Sequence, residues 1–432
     1  MTETKDQAPT MTHTSADFGD TAGPSPVEMH AGTPLEVTRA LTPTSAASYG
    51  HLLDLFRSRS GWTRQQLLEI TGVSRTTLYD RLDVLFQEGL VYSAGSVPQT
   101  DAASPARGRP SELLRFDDRG KVVLVIDSGQ VHANVCVADL NGKLLRMRSL
   151  RLVIDTDPAG YLDTIFAAAG ELLDAATGES LVGVALGIPG PVDAATGALG
   201  PSTTMPRWQS FPIVETIRSH WPVPVVIEND AHAFALGEAS TAGSTESILA
   251  IKYSTGIGAG IVVGGDVLRG ADGAAGDIGH VRLSADGPVC TCGRQGCLAA
   301  YASGHALVRD LAHAGVRSVD DVVALATAGD AVVTRALENA VDRLSLVLGT
   351  IVTAINPNIV VLGGALGRLP LVVEQVDRQV RTEVVRATGR LRVSSARLGD
   401  YGVTTGLARK VVDAVYAPAS IDATLAAKAA TP

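Results

Sequence analysis

The chain has 432 residues, 45% of them hydrophobic, which is enough for two or three domains with sizeable cores. A formal net charge of −9 gives no overall attraction for nucleic acid, so any contact with DNA has to rest on local charge. No apolar run reaches the roughly 18 to 20 residues of a membrane span, and the N-terminus lacks the basic and apolar regions of a signal peptide, so the expectation is a cytoplasmic protein.

Residues 1–46 are rich in Thr, Ser, Pro and Ala without periodicity and read as a disordered tail. From residue 47 the pattern changes. Leu52, Leu53, Leu55 and Phe56 form one helix face. Thr63 with Gln66 makes a capping box for a second helix, Gly72 is placed to end it, and Ser74 to cap a third. Leu78, Leu82 and Leu85 would face inward along that third helix. Ser74, Arg75, Thr76, Thr77, Tyr79 and Arg81 then lie on or near its outward N-terminal side, with side chains that reach phosphates and base edges. An ordinary helical hairpin with a polar face is the competing reading. Two strand patterns follow, around residues 89–92 and 113–116, joined by a polar loop that ends Arg107-Gly108-Arg109-Pro110. Arginines at a hairpin tip fit a wing that reaches phosphates or a minor groove. Over 47–119 the acidic and basic residues nearly cancel, so DNA affinity would rest on a few placed arginines and on dimerisation.

Residues 120–416 have the periodicity of an α/β domain. Strands are predicted at 122–126, 131–138 and 143–153, with the hairpin signal Asn141-Gly142, then a helix at 158–176 and strands at 181–187 and 223–227. The second half repeats this plan, with strands at 248–253 and 258–263, a hairpin at Gly264-Gly265, several helices, and strands at 359–362 and 391–395. Two copies of one plan suggest two lobes with a cleft between them. Residues 417–432 read as a flexible tail. Cys136 lies in an alternating apolar run and reads as a core thiol.

The other three cysteines fall together. Cys290-Thr291-Cys292-Gly293-Arg294-Gln295-Gly296-Cys297 follows His280 by ten residues, and three thiolates with one imidazole can close a tetrahedron around Zn²⁺. A closed four-ligand site leaves no position for water, so the metal would be structural. With so few cysteines and three of them in ligand spacing, a disulfide framework is not expected.

Gly276-Asp277-Ile278-Gly279-His280 followed by that cysteine run resembles the signature of the ROK family, which groups sugar kinases with sugar-responsive transcriptional repressors. The resemblance covers about residues 48–415. It implies an actin-like, ribonuclease H-like, two-lobed sugar-kinase fold, and the winged helix-turn-helix resembles the module in front of ROK repressors. In the family the histidine binds zinc through one ring nitrogen and faces the sugar with the other, a role that falls on His280. Gly187-Ile188-Pro189-Gly190 resembles the sugar-side loop. The Glu228-Asn229-Asp230 motif puts the kinase general base at Asp230 and a hydroxyl-binding side chain at Asn229. Phosphate loops correspond to Asp127, Gly129 and the run Thr255-Gly256-Ile257-Gly258, and the adenosine-side turn to Gly363-Gly364. Such glycine turns also serve packing alone.

The chain departs from the family pattern. Gln130 and Val131 replace a glycine and a threonine that grip phosphate, Asp277 replaces a glutamate, and Ala299 replaces another. The ligand-facing set is then Gly190, Asn229, Asp230, Asp277 and His280, with Asp230 a vestigial base. The resulting expectation is a DNA-binding regulator, a repressor that senses a sugar, sugar phosphate or related metabolite and binds an operator duplex as a homodimer or dimer of dimers. An active ATP-dependent sugar kinase carrying a DNA-binding module is the alternative. A regulator without effector is a third.

Overall fold

The computed structural model describes residues 48–96, 111–175, 178–193, 196–202, 205–242, 246–384 and 390–430. The expected tail at 1–46 and the wing-tip residues Arg107 and Arg109 lie outside the described residues.

The N-terminal module is built from α1 (Tyr49–Ser58), α2 (Arg64–Thr71) and α3 (Arg75–Gln87), then β1 (Val91–Ser96) paired antiparallel with β2 (Glu112–Phe116). Its local chemistry follows the sequence closely. The Thr63 hydroxyl and the Gln66 side chain cap α2 reciprocally, Gly72 ends it in the left-handed region at φ 65°, and Ser74 Oγ accepts from the Thr77 amide at 3.1 Å. Leu78, Leu82 and Leu85 are buried. Trp62 pairs with Leu114 through both backbone groups, at 2.9 and 2.8 Å, and adds a third strand-like segment to the wing.

The first lobe runs β3 (Lys121–Ser128), β4 (Ala133–Asp139), β5 (Leu144–Leu150), α4 (Pro158–Asp174), β6 (Ser180–Ile188), α5 (Ile213–His220), β7 (Val225–Asn229) and α6 (Asp230–Ala239). Its sheet has the order β5-β4-β3-β6-β7, antiparallel through β5, β4 and β3 and parallel through β3, β6 and β7. The second lobe repeats it: β8 (Ile248–Tyr253), β9 (Ile257–Val263), β10 (Asp266–Val267), α7 (Leu298–Ala302), α8 (Gly304–Asp310), α9 (Val319–Thr327), α10 (Ala331–Ile355), β11 (Ile359–Gly363), α11 (Gly364–Gly367), α12 (Pro370–Glu383) and β12 (Arg392–Ser395), after which α13 (Gly402–Val415) returns to pack on the first sheet, with Leu407 against Gly187 and Val411 against Gly183, and α14 (Pro418–Ala429) follows. The second sheet has the order β10-β9-β8-β11-β12, with the same antiparallel then parallel division. The predicted hairpin Gly264-Gly265 takes positive φ at both residues, 61° and 88°, as a two-residue type I′ connection requires. Strand β4 starts two residues later than predicted because the chain turns at 129–132, where the Gly129 amide donates to the His132 carbonyl at 2.9 Å.

Helices α6 and α13 cross with backbone against backbone. A Cβ at Gly237 would lie 1.9 Å from the Gly402 carbonyl oxygen, and one at Gly406 would lie 1.8 Å from that of Ala233. Only glycine fits at either position.

The expected flexible tail at 417–432 is corrected for the residues described. Residues 418–429 form α14, whose Ile421 and Leu425 are buried against the N-terminal module. The Gly50 amide donates to Asp422 Oδ1 at 3.0 Å, and Lys428 pairs with Glu88, the residue just past α3. The reason is a two-residue apolar stripe at i, i+4 that gains its burial from distant elements, α1 above all, so the segment's own alanine-rich sequence shows little of it. Leu53, Phe56, Leu82 and Leu114 consequently share one continuous core with Val411, Tyr416, Ile421 and Leu425. Among the described residues no helix is long and apolar enough to cross a membrane.

Candidate functional site: a carboxylate cleft beside a histidine and cysteine cluster

The parallel strands of the first sheet bring Asp127, Gly187 and Glu228 side by side at their C-terminal ends, through the register Asp127↔Gly187 and Gly187↔Glu228. Ligands in α/β folds bind at such strand ends. Asn229 caps α6: its Oδ1 accepts from the amides of Ala231 and His232 at 2.9 and 3.0 Å, and its Nδ2 donates to the Gly190 carbonyl at 2.8 Å. The side chain expected to hold a hydroxyl is thus mainly spent tying the Gly190 loop to the start of α6. Asp230 is the first residue of that helix, where the N-terminal partial charge favours a carboxylate.

Asp230 is not free. Lys252 Nζ donates to Asp230 Oδ2 at 2.6 Å from near the end of β8, and both side chains are largely buried, at 18% and 14% exposure. Burial pushes the lysine's pKa down, but Asp230 and then Asp127 pull it above its ordinary value, so the ammonium is charged. Sequence reasoning passed over Lys252. Its signal was a single lysine inside the otherwise apolar Ile248-Leu249-Ala250-Ile251-Lys252-Tyr253 strand.

Glu228, buried to 2% exposure, anchors a second ion cluster that sequence reasoning missed. Arg269 reaches it through Nη2 at 2.7 Å and Nε at 3.2 Å, Lys410 of α13 lies 3.9 Å away, and His232 Nδ1 is 3.4 Å from its other oxygen. Burial raises the Glu228 pKa, yet His232 and Arg269 together outweigh it and hold the carboxyl below its ordinary value. The other ring nitrogen of His232 donates to the Ala275 carbonyl at 2.6 Å. One buried carboxylate therefore joins the base of Asp230 to the segment leading to Asp277 and His280.

The glycine turns divide by role. A Cβ at Gly363 would meet the Phe234 ring at 2.2 Å, one at Gly364 the Tyr253 carbonyl at 2.5 Å, and one at Gly258 Ala231 Cβ at 3.2 Å, so packing alone requires these three or nearly so. At Gly129 an added Cβ would strike the His132 ring at 2.2 Å. Gly256 faces open space except for Gln130 Nε2 at 3.7 Å, which puts the two phosphate-loop remnants opposite one another. Thr255 gives its carbonyl to the His305 amide at 2.9 Å. Val131 is 53% exposed and offers no hydroxyl.

The His280, Cys290, Cys292 and Cys297 ligand atoms all lie within 4.8 Å of one another. Cys292 Sγ and Cys297 Sγ are 3.7 Å apart, and Cys290 Sγ is 3.5 Å from His280 Nδ1. Tetrahedral zinc with bonds of about 2.3 Å to sulfur sets sulfur–sulfur edges of ~3.8 Å, which the Cys292–Cys297 pair matches. Burial raises the Cys292 thiol, but the backbone and guanidinium of Arg294 outweigh it and bring it down to about 6; burial and its neighbours push Cys297 up to about 12. Three thiols this close cannot all ionise unless a cation offsets their charge. His280 Nε2 turns the other way and lies 4.0 Å from Asp277 Oδ1, on an exposed side chain. Ala299 leaves that side without a second carboxylate. Cys136 stands apart, buried, with its thiol pushed up to about 12 by desolvation.

On the N-terminal module, Ser74, Arg75 and Thr76 are exposed at the start of α3, and Tyr79 is 39% exposed with the Arg64 guanidinium 5.3 Å from its ring centre. The Thr77 hydroxyl is tied to Ser74 Oγ at 2.8 Å. Arg81 lies on another face: its guanidinium covers the Tyr49 ring at 4.1 Å and lines the groove between α3 and α14.

A two-lobed, sugar-kinase-like domain behind a winged helix is the class of protein that this fold and cleft define. The family model described as ROK matches residues 123–413, and the chain belongs to the ROK family. A xylose repressor of Bacillus subtilis (strain 168) is 27% identical over 370 residues, covering 84% of this chain and 94% of its own. A glucokinase of Thermotoga maritima is 31% identical over 261 residues, covering 56% of this chain and 81% of its own. The crystal structure of a ROK family transcriptional regulator, a homolog of the E. coli MLC protein, matches with a TM-score of 0.71 at 21% identity over 88% of this chain and 98% of that one, a likeness of fold.

Proposed function

We propose that the chain is a DNA-binding transcriptional repressor that senses a sugar or related metabolite in its kinase-like cleft. The observation that carries this reading is the repressor alignment. Residues 120–432 make up less than three quarters of the chain, so a match covering 84% of it runs into the winged helix, whose α3 presents Arg75 and Thr76 to solvent. That helix enters a major groove of an operator duplex, and Arg107 and Arg109 contact its backbone from the wing. The protein works as a homodimer or dimer of dimers in the cytoplasm, because half-sites about 34 to 36 Å apart need two modules held at fixed spacing. Ligand contact falls to Gly190, Asn229, Asp230, Asp277 and His280. His280, Cys290, Cys292 and Cys297 hold one structural zinc, which fixes His280 by its Nδ1 side.

The domain reading behind this is a module at 47–119 and a sensor at 120–416. Sugar phosphorylation is the second reading, favoured by the presence of Asp230 and by the glucokinase relative. The deciding experiment is selection of bound duplexes from a random DNA pool by the full chain, followed by release with a panel of sugars and sugar phosphates. A sequence with two related half-sites, released by one of the panel, supports the regulator; no enriched sequence, together with ATP consumption on a sugar, replaces it with the enzyme.

A further inference from the structure

Lys252, near the end of β8, supplies a positive charge beside Asp230 at the first turn of α6. Its Nζ is 2.6 Å from Asp230 Oδ2. Asp127, at the end of β3 in the other sheet, is 4% exposed; its Oδ2 has only a long 3.4 Å contact from Asn134, and its Oδ1 finds no hydrogen-bond partner among the described residues. A buried carboxylate oxygen without a partner is costly unless a cation lies within reach. Asp127 is also the second carboxylate, after Asp230, whose charge acts on Lys252. Oxygen ligands from two carboxylates on a cleft wall are what a hard divalent cation takes, and phosphoryl transfer from a nucleotide requires such a cation.

We propose that Lys252 is the resident counter-cation of this cleft: its ammonium takes the position that a divalent metal would otherwise hold between Asp127 and Asp230. Two consequences follow from charge alone. A divalent ion approaching Asp127 is repelled by the ammonium already there, so the cleft takes no metal–nucleotide complex. Asp230 Oδ2 is occupied by the Lys252 ammonium, so a ligand hydroxyl has to compete with that ion pair for it. The assignment deepens the reading of the cleft as a sensor, yet its test needs neither operator nor effector, so the two can fail separately.

The test is manganese binding by the full-length chain with its zinc retained, followed by electron paramagnetic resonance of free Mn²⁺. The native chain and Lys252→Arg are expected to take up none at the cleft. Lys252→Met should gain one Mn²⁺ per chain, bound at least about tenfold tighter than by the native chain, because one adjacent positive charge has been removed. Adding Asp127→Asn to Lys252→Met should abolish that gain. Zinc content and melting temperature identify any variant that has not folded, and Lys252→Gln then serves in place of Lys252→Met. Uptake of one Mn²⁺ per chain by the native protein, abolished by Asp127→Asn, overturns the proposal. So does a folded Lys252 variant that gains none.

Discussion

The ring of Phe116, at the end of β2, meets the ring of Tyr416, just past the end of α13, edge to face at a centroid distance of 5.0 Å and an angle of 87°. The contact joins the last residue of the wing to the helix pair that closes the chain. Arg57 of α1 adds an ion pair to Asp413 of α13 at 2.6 Å. Removing the ring by Tyr416→Ala should cost about 3 kcal/mol, as for other buried aromatic truncations, whereas Tyr416→Phe should cost little. Scanning calorimetry of the Ala variant should show the N-terminal module melting ahead of the rest. A single unchanged transition would mean that the two parts are held together by something other than this seam.

Removal of metal should be strongly pH-dependent. The Cys292 thiol is brought down to about 6 while Cys297 is pushed up to about 12, so metal uptake has to displace a proton at least from Cys297 at neutral pH. Affinity therefore rises with pH, and a chelator should strip the ion faster at pH 6 than at pH 8. Elemental analysis should find one zinc per chain in the native protein and none in Cys292→Ser, which should also melt several degrees lower. Equal metal content in the two proteins would sink the assignment.

Residues at the start of α3 should separate base reading from positioning. Thr76→Ala should change which operator sequences are preferred, because Thr76 is exposed and free of the cap. Thr77→Ala should chiefly loosen the first turn, since its hydroxyl is bonded to Ser74. Arg109→Ala should weaken all duplexes alike and lower the salt slope by about 0.9, the value for one lost phosphate contact. Titrations at several salt concentrations distinguish the three; identical binding by all would take the module out of DNA recognition.

Acid should weaken the link between the lobes through Glu228. Its carboxyl is held below the ordinary 4.5, so the stability it contributes is fully present above that value and is lost as the pH falls through the lower folded one. Arg269→Met leaves a buried carboxylate short of its main partner and should cost about 3 kcal/mol at pH 7. That deficit should shrink as the pH drops below the ordinary carboxylate range. A deficit independent of pH, measured by urea unfolding, would show that Arg269 acts by packing alone.

Sugar phosphorylation should be absent or far below about 1 s⁻¹ with hexoses, pentoses and amino sugars. Val131 offers no hydroxyl and Ala299 no carboxylate at positions where the family resemblance implies them, while Asp230 is engaged by Lys252. Faster ATP consumption that disappears in Asp230→Ala would restore the enzyme.

Much of this was legible in the sequence because the signals are local. The capping box at Thr63 and Gln66, the left-handed Gly72, the Leu78, Leu82 and Leu85 stripe and the cysteine spacing each involve residues within a few turns of one another. The missed features are products of distance. Lys252 finds Asp230 22 residues upstream, Arg269 finds Glu228 41 residues upstream, and Asp422 finds Gly50 372 residues upstream. Nothing beside Lys252 or Arg269 names its partner. Glycines such as Gly363 and Gly364 are ambiguous for the opposite reason: a turn that admits a phosphate and one that admits a neighbouring backbone use the same residue.

The crossing of α6 and α13 also sets how the two lobes can move. Where side chains interdigitate, one helix has to unlatch before it can pass another. Around Gly237 and Gly406 backbone meets backbone, while the Phe234 ring of α6 lies across Gly402, so that ring is what any sliding of the two helices would have to pass. A shift of α13 along this crossing would be carried to Tyr416 and α14, which share one core with it and with the winged helix.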